Sequence, residues 1–242
     1  MVLTLTEFFN GLFSLFIVLI FIVVGLLTVL KYRKIKNRIY IWWGIGLLGL
    51  GLPWSSGGLS FLMIILTGTA LSLELYLFMS LFFMSITLMP WLWTLTELMY
   101  KDKQKIILGF FAITGIIFEI YLLYYLVTDP QVIGVFVDPP LDINYVGLTR
   151  LYAIFILIIV GVSLLLFIRE SFLLEEPEIK LKAKFLLIGI ISFIIGSILD
   201  GYVGVNIVLV FIVRILLMSC AVEFYIGWNL PESVKNLFLK EA

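Results

Sequence analysis

Residues 8–38 read FFNGLFSLFIVLIFIVVGLLTVL followed by KYRKIKNR, and this stretch decides the fold class. A helix of about 20 apolar residues crosses the ~30 Å hydrocarbon core of a bilayer, so residues 8–30 are long enough to span it. They are too long for the apolar region of a signal peptide, and no basic residue precedes them. The pattern therefore predicts a membrane-spanning helix that ends at a positively charged membrane face.

The composition of the whole chain agrees with this prediction. Of its 242 residues, 63% are hydrophobic and only 13% are charged, whereas soluble proteins carry about 25% charged residues. Such a chain has too little polar surface for water, so its main partner is the lipid bilayer. Lys+Arg and Asp+Glu are equal at 16 each, and this balance indicates no nucleic-acid partner.

Apolar runs alternate with short charged segments along the chain. They predict an all-α integral membrane protein, a seven-helix transmembrane bundle with spans at residues 8–30, 39–66, 74–100, 106–127, 145–168, 185–204 and 206–228. Residues 230–242 form a short tail. In this tail Pro231 is typical of a helix start, and residues 237–239 would lie on the membrane surface.

The basic residues predict the orientation of the bundle. Fourteen of the 16 fall in three loops or the tail on one side of seven spans: Lys31, Arg33, Lys34, Lys36, Arg38, Lys101, Lys103, Lys105, Arg169, Lys180, Lys182, Lys184, Lys235 and Lys240. The opposite loop at residues 128–144 contains Asp129, Asp138 and Asp142 but no Lys or Arg. Because Lys and Arg stay cytoplasmic during insertion, we expect a cell-membrane protein with its N-terminus outside and its C-terminus in the cytoplasm.

Two prolines interrupt the apolar runs. Proline removes one backbone hydrogen bond from a helix, so Pro53 and Pro90 predict kinks in the second and third spans. For residues 53–58 a re-entrant turn is the alternative.

Glycine and tryptophan are also patterned. Gly44, Gly46 and Gly49 match G-x-G-x-x-G, but they lie inside a predicted membrane helix, where glycine allows close helix packing and no nucleotide is expected. Five tryptophans fall toward the cytoplasmic ends of their spans and predict an interfacial aromatic belt: Trp42, Trp43, Trp91, Trp93 and Trp228.

Charged residues inside the predicted spans are the candidates for a site, because each is costly in the bilayer. Glu119, Asp200 and Arg214 share a depth of roughly 21–24 Å above the cytoplasmic boundary, at 1.5 Å per helical residue. We predict that Arg214 pairs with Asp200, Glu119 or both, beneath an outward-facing ligand or ion pocket. Arg150 and Glu74 lie higher. A structural pair, or side chains that reach outward to the headgroups, is the alternative.

Glu97 and Glu223 form a second acidic level near the cytoplasmic boundary. They would accept protons or contact the basic loops, and an ordinary headgroup-level position is the alternative interpretation.

The sequence gives little support for an enzyme. The chain contains no histidine, so the commonest general base and transition-metal ligand is absent. Its one cysteine, Cys220, lies in an apolar run, and no serine occupies a G-x-S-x-G motif. We therefore predict no enzyme, no catalytic or metal site and no cofactor.

Two short segments resemble a known family. Tyr40-Ile41-Trp42-Trp43 opens the second span, and residues 180–184, KLKAK, run into residues 185–189, FLLIG. With the order of spans, they are similar to the seven-helix N-terminal sensor regions of prokaryotic histidine kinases. That family continues into a signalling domain, whereas only 14 residues follow Trp228 here. The resemblance implies a membrane sensor with an outer pocket and a separate cytoplasmic signalling partner.

Three functions remain open from the sequence. The first is a receptor-like sensor or accessory subunit whose cytoplasmic partner contacts residues 31–38 and 169–184. The second is a small transporter or channel with Glu119, Asp200 and Arg214 along its path. The third is a structural or assembly factor. Neither the ligand nor the oligomeric state follows from the residues.

Overall fold

The computed structural model describes residues 3–137, 141–201 and 207–239. Seven helical segments are long and apolar enough to cross a membrane, as predicted. They are α1 (Leu5–Ile35), the pair α2 (Ile39–Gly51) and α3 (Ser55–Thr67) in one span, α4 (Leu73–Met99), α5 (Gln104–Thr128), α6 (Gly147–Leu173), α7 (Pro177–Asp200) and α8 (Ile207–Asn229). A short helix, α9 (Glu232–Phe238), follows.

Some of the predicted features lie outside the described residues. The predicted sixth and seventh spans include some of residues 202–206, which the structure does not describe. Asp138 and Lys240 also lie outside the described residues. The helix of the sixth span begins before the predicted span at residues 185–204. Helix α7 begins at Pro177, so residues 180–184 lie in its first turns rather than in a loop. Proline is well suited to the first helical position, where its missing N–H removes no bond.

Local sequence explains where several helices begin and end. At the start of α1, Thr4 Oγ1 accepts from the Glu7 backbone N–H (3.3 Å), and the Glu7 carboxylate accepts from the Thr4 N–H (2.6 Å). This capping box satisfies backbone donors that have no partner within the helix. Helix α3 ends at Gly68, whose φ of 77° is the left-handed conformation that glycine adopts without strain.

The second span is interrupted by a short 3₁₀ turn. Residues Leu52–Trp54 form a single 3₁₀ turn, and α2 and α3 continue helically on either side of it, so residues 53–58 are not a re-entrant turn. Pro90 lies inside α4, which continues to Met99, and the Thr94 hydroxyl donates to the Pro90 carbonyl (2.9 Å).

The predicted loop between α5 and α6 contains a short β-hairpin. Strands β1 (Gly134–Val137) and β2 (Asp142–Tyr145) pair antiparallel, with Gly134 opposite Tyr145, and α6 begins two residues later than predicted. These strands are rich in β-branched and aromatic residues, which favour extended backbone. The hairpin packs on α4: the Tyr76 hydroxyl donates to the Leu141 carbonyl (3.0 Å), and its ring meets that of Phe136.

The two ends of the bundle differ in charge. At one end the Lys31 ammonium donates to the Asn229 carbonyl (2.9 Å), and Lys235 of α9 pairs with Glu178 of α7. We call this end, with residues 31–38, 100–105, 169–184 and 229–239, the basic end. The β-hairpin lies at the other end, which we call the hairpin end.

Glycines allow the helices to approach one another closely, as predicted. A Cβ at Gly44 would lie 2.7 Å from the Gly25 carbonyl of α1, and one at Gly49 would lie 2.1 Å from the Thr87 side chain of α4. Helix α2 therefore contacts α1 and α4 through positions that only glycine can occupy without displacing a neighbour.

The predicted tryptophan belt is wrong for part of its members. Trp43 is fully buried and stacks between Trp91 and Trp228, with ring centroids 4.7 and 4.1 Å away. Trp42 is 37% exposed and packs against Trp93. Position along a span determines a residue's depth but not which face of the helix it occupies, and Trp43 faces the interior. We refer to Trp91, Trp43 and Trp228 as the tryptophan stack.

Candidate functional site

A cavity of about 820 Å³ lies at the hairpin end, between the bent second span, α4, α6, α7, α8 and the β-hairpin. Binding sites for drug-sized molecules usually measure about 300–1,000 Å³. The polar and charged lining residues are Ser14, Tyr76, Thr87, Asp142, Asn144, Tyr145, Arg150, Ser197, Asp200 and Arg214.

Arg214 is the buried cation of this cavity. It lies on α8, is only 2% exposed, and donates through Nε and Nη2 to Asn10 Oδ1 of α1 at 3.2 and 2.5 Å. Its Nη1 lies 2.9 Å from Asp200 Oδ1, but this contact is not aligned as a hydrogen bond. One face of the guanidinium is therefore neutralised by an ion pair yet still lacks a hydrogen-bond acceptor within the described ranges.

Asp200, the last residue of α7, connects this pair to the bend of the second span. Its Oδ2 accepts from the Trp54 indole N–H (2.9 Å), and Trp54 is the last residue of the 3₁₀ turn. Because of the 3₁₀ turn, the Trp54 indole N–H points toward Asp200. In a straight helix it would point in a different direction. Two different spans hold the Asp200 carboxylate, and its Oδ1 has no hydrogen-bond donor among the described residues.

The hairpin adds a second carboxyl group to the cavity. Asp142 Oδ1 accepts from the backbone N–H of Ile143 (2.8 Å). Burial and the nearby charge of Asp200 raise the pKa of Asp142 to about 7, although Arg214 acts in the opposite direction. Burial also raises the pKa of Tyr145 to about 12. This polar part of the cavity therefore contains two carboxyl groups and one buried guanidinium.

The deeper part of the cavity is apolar. Its walls include Met84, Leu88, Leu157, Val160 and Phe193, and Trp91 lines the side toward the basic end. The Trp91 indole N–H donates to Ser163 (3.0 Å), and beyond it the rest of the tryptophan stack fills the bundle. A molecule in this cavity would have its polar group near the hairpin and its apolar part against Trp91.

The structure brings together some of the predicted site residues. Of the two predicted partners of Arg214, Asp200 is adjacent to it and Glu119 is not. Glu119 lies on α5, outside the cavity lining, with neither carboxylate oxygen hydrogen-bonded to a described residue. Arg150 lines the cavity with an exposed side chain, and Glu74 is exposed in the first turn of α4, away from it.

The inner-end acids also lie apart from the cavity. Glu97 forms an ion pair with Lys101 at 2.7 Å. Glu223 lies on α8, and its Oε2 has no hydrogen-bond partner in the described part of the chain. Among the described residues, no three His, Cys, Asp or Glu side chains are grouped so that they could hold a metal ion.

Sequence reasoning missed three residues of the site. Asn10 is an amide within the apolar run of residues 8–30, and its unusual position in a membrane span was a signal that could have found it. For Asp142 the sequence predicts only a loop position, because it does not reveal the hairpin that carries this residue into the bundle. Trp54 has no distinguishing signal in the sequence, since its contact with Asp200 depends on the 3₁₀ turn.

Comparison with known proteins identifies no relative: no protein family, curated protein or solved structure matches the chain.

Proposed function

We propose that this chain is a receptor-like membrane sensor that binds a small organic ligand in the cavity and signals through a cytoplasmic protein at the basic end. The observation that carries the proposal is the cavity itself, in which a buried guanidinium and two carboxyl groups face an apolar interior. Buried charges are expensive in a membrane, and in such proteins they commonly mark ligand or ion sites.

The orientation predicted from the basic residues supports this function. With the basic end in the cytoplasm, as the positive-inside rule requires, the hairpin end and the cavity face the outside. The N-terminus is then outside and the C-terminus inside. A ligand would reach the cavity from the cell exterior, and the cytoplasmic partner would contact the ends of α1, α7 and α9.

The packing below the cavity favours a receptor over a channel or transporter. Between the cavity and the basic end, the tryptophan stack and the buried leucines around it fill the bundle. The stack also provides a physical connection, because Trp91 lines the cavity and Trp228 adjoins Asn229. That asparagine bonds to Thr28 through its amide (2.9 Å) and to Lys31 through its carbonyl.

Cysteine accessibility tests the position of the cavity. In a Cys220→Ala background, we expect Leu157→Cys to react with a membrane-impermeant thiol reagent added outside intact cells. The matched control is Leu164→Cys, two helical turns nearer the basic end on α6 and 0% exposed, which should not react. Reaction at either position from the cytoplasmic side would favour a transporter, and no reaction at either would contradict an accessible cavity.

Purification in mild detergent tests the partner. We expect a cytoplasmic signalling protein to co-purify in a stoichiometric amount, and we expect Lys180→Gln, Lys182→Gln and Lys184→Gln together to abolish its binding. The same substitutions should leave labelling of Leu157→Cys unchanged. Recovery of the chain alone, or of a partner unaffected by these substitutions, would contradict signalling through the basic end.

A further inference from the structure

The charges of Arg214, Asp200 and Asp142, which line the cavity, do not balance among themselves. Arg214 is already neutralised by Asp200 at 2.9 Å and hydrogen-bonded to Asn10. Asp142 therefore has no ion-pair partner among the described residues, and the group of three carries one excess negative charge when both carboxyl groups are ionised.

Other charged or titratable groups around Asp142 do not supply the missing cation. Tyr76 of α4 and Tyr145 of the same strand are neutral at physiological pH, since burial raises the pKa of Tyr145 to about 12 and the Tyr76 hydroxyl donates to a backbone carbonyl. Arg150 of α6 lines the cavity, but its side chain is exposed and it is not among the groups that influence Asp142. Asp200 adds a like charge.

One acceptor position in the cavity is open to a donor. In the described part of the chain, the hydrogen bond that Asp142 accepts is from the Ile143 N–H to Oδ1, which leaves Oδ2 for a ligand, whereas Asp200 Oδ1 is buried against Arg214 Nη1. The two carboxyl groups are close enough that the charge of Asp200 raises the pKa of Asp142. A donor with a positive charge would bind Asp142 and be attracted by the charge of Asp200, whereas an anion would be repelled by two carboxylates and compete with Asp200 for Arg214.

We propose that the ligand is an amphipathic organic cation, a protonated amine whose ammonium group binds the Asp142 carboxylate and whose apolar body extends toward Trp91. This inference rests on the proposed function and specifies its ligand class. The ammonium group supplies the missing charge, and the walls around Met84 and Leu157 take up the apolar body.

Three probes with one apolar body isolate the effect of the charge. They are 4-phenylbutylammonium, 4-phenylbutan-1-ol and 4-phenylbutyrate, titrated against the full chain in phosphatidylcholine nanodiscs by calorimetry and by tryptophan fluorescence. Trp54 and Trp91 line the cavity and report on occupancy. Because hydrogen bonds to charged groups are the strong ones, we expect the ammonium to bind about tenfold to a hundredfold tighter than the alcohol, and the carboxylate to bind weakest.

Substitutions then assign the preference to the cavity. Asp142→Asn should remove the advantage of the ammonium over the alcohol and leave the alcohol's affinity unchanged. The matched control, Glu119→Gln, replaces an intramembrane carboxyl group outside the cavity lining and should change none of the three affinities. If Asp142→Asn unfolds the chain, Asp142→Glu keeps the charge and should keep the preference.

The pH dependence provides an independent readout. With a pKa of about 7, Asp142 is about nine-tenths ionised at pH 8 and about one-tenth ionised at pH 6. A proton and the ammonium compete for this carboxylate, so the ammonium should bind about tenfold tighter at pH 8 than at pH 6. An alkylammonium stays protonated across this range, as lysine does. The Asp142→Asn variant should show no such dependence.

The outcomes separate this inference from the proposed function. Preference for the carboxylate, equal binding of all three probes, or binding of none while Leu157→Cys still reacts from outside would overturn the cationic ligand and leave an accessible cavity. Failure of both the probes and the labelling would overturn the receptor as well.

Discussion

The bonds between Asn10 and Arg214 give the sharpest stability prediction. Asn10 on α1 accepts two hydrogen bonds from the Arg214 guanidinium on α8, and both side chains are at most 5% exposed. Substitution of Asn10 by alanine leaves two guanidinium N–H groups without an acceptor in a region that water reaches poorly. Hydrogen bonds to charged groups contribute about 1.5–3 kcal/mol each, and the two share one acceptor atom. We expect Asn10→Ala to lower the free energy of unfolding by about 3 kcal/mol.

The chain contains a matched control at the other end of the same helix pair. Asn229 on α8 is 6% exposed, and its amide donates to the Thr28 hydroxyl on α1 (2.9 Å). Asn229→Ala deletes the same atoms from the same interface, but the lost bond is between neutral groups. Such bonds in membrane proteins average about 0.6 kcal/mol, so we expect a loss of at most about 1 kcal/mol.

The assay is unfolding of the purified protein by SDS in mixed micelles, followed by tryptophan fluorescence. Arg214→Met removes the group that makes Asn10 important, so Asn10→Ala should cost about 2 kcal/mol less in that background than in the natural chain. Equal losses from Asn10→Ala and Asn229→Ala, or additive losses in the double mutant, would refute the reasoning.

Two further predictions use the same assay. Gly49→Ala should lower the free energy of unfolding by about 1–3 kcal/mol, because its Cβ would lie 2.1 Å from Thr87, whereas Gly109→Ala, with nothing within 4 Å, should not destabilise the chain. Trp43→Ala should cost about 3–5 kcal/mol because the ring is fully buried, and Trp42→Ala, at a site 37% exposed, should cost less than half of that. Equal losses within either pair would contradict the packing described.

The helices were predictable because membrane spans leave a strong signal. An apolar run of about 20 residues followed by basic residues has few other structural solutions, and the runs near residues 8–30 and 106–127 became α1 and α5. The β-hairpin left only a weak signal. Each strand is four residues long, and alternation over so short a segment does not distinguish a strand from a loop.

The depth of the candidate site in the membrane could be predicted from the sequence, but the set of residues that form it could not. Counting residues from the basic loops placed Glu119, Asp200 and Arg214 at one level, yet depth gives no information about the direction in which a helix face points. Glu119 is consequently not part of the cavity lining, and Asp142, which the hairpin carries into the bundle, is the second carboxyl group there.

The connection between Asn10 and Arg214 has a consequence for biogenesis. These residues are 204 positions apart, so the ribosome synthesises and the translocon releases six spans before Arg214 emerges. Asn10 and Asp200 are then already in the bilayer. Arg214 would be costly to insert alone, but both of its acceptors are present when it enters. Closure of the bundle around these residues therefore waits for the last span, and a nascent chain arrested before residue 207 would leave Asn10 and Asp200 without the Arg214 guanidinium.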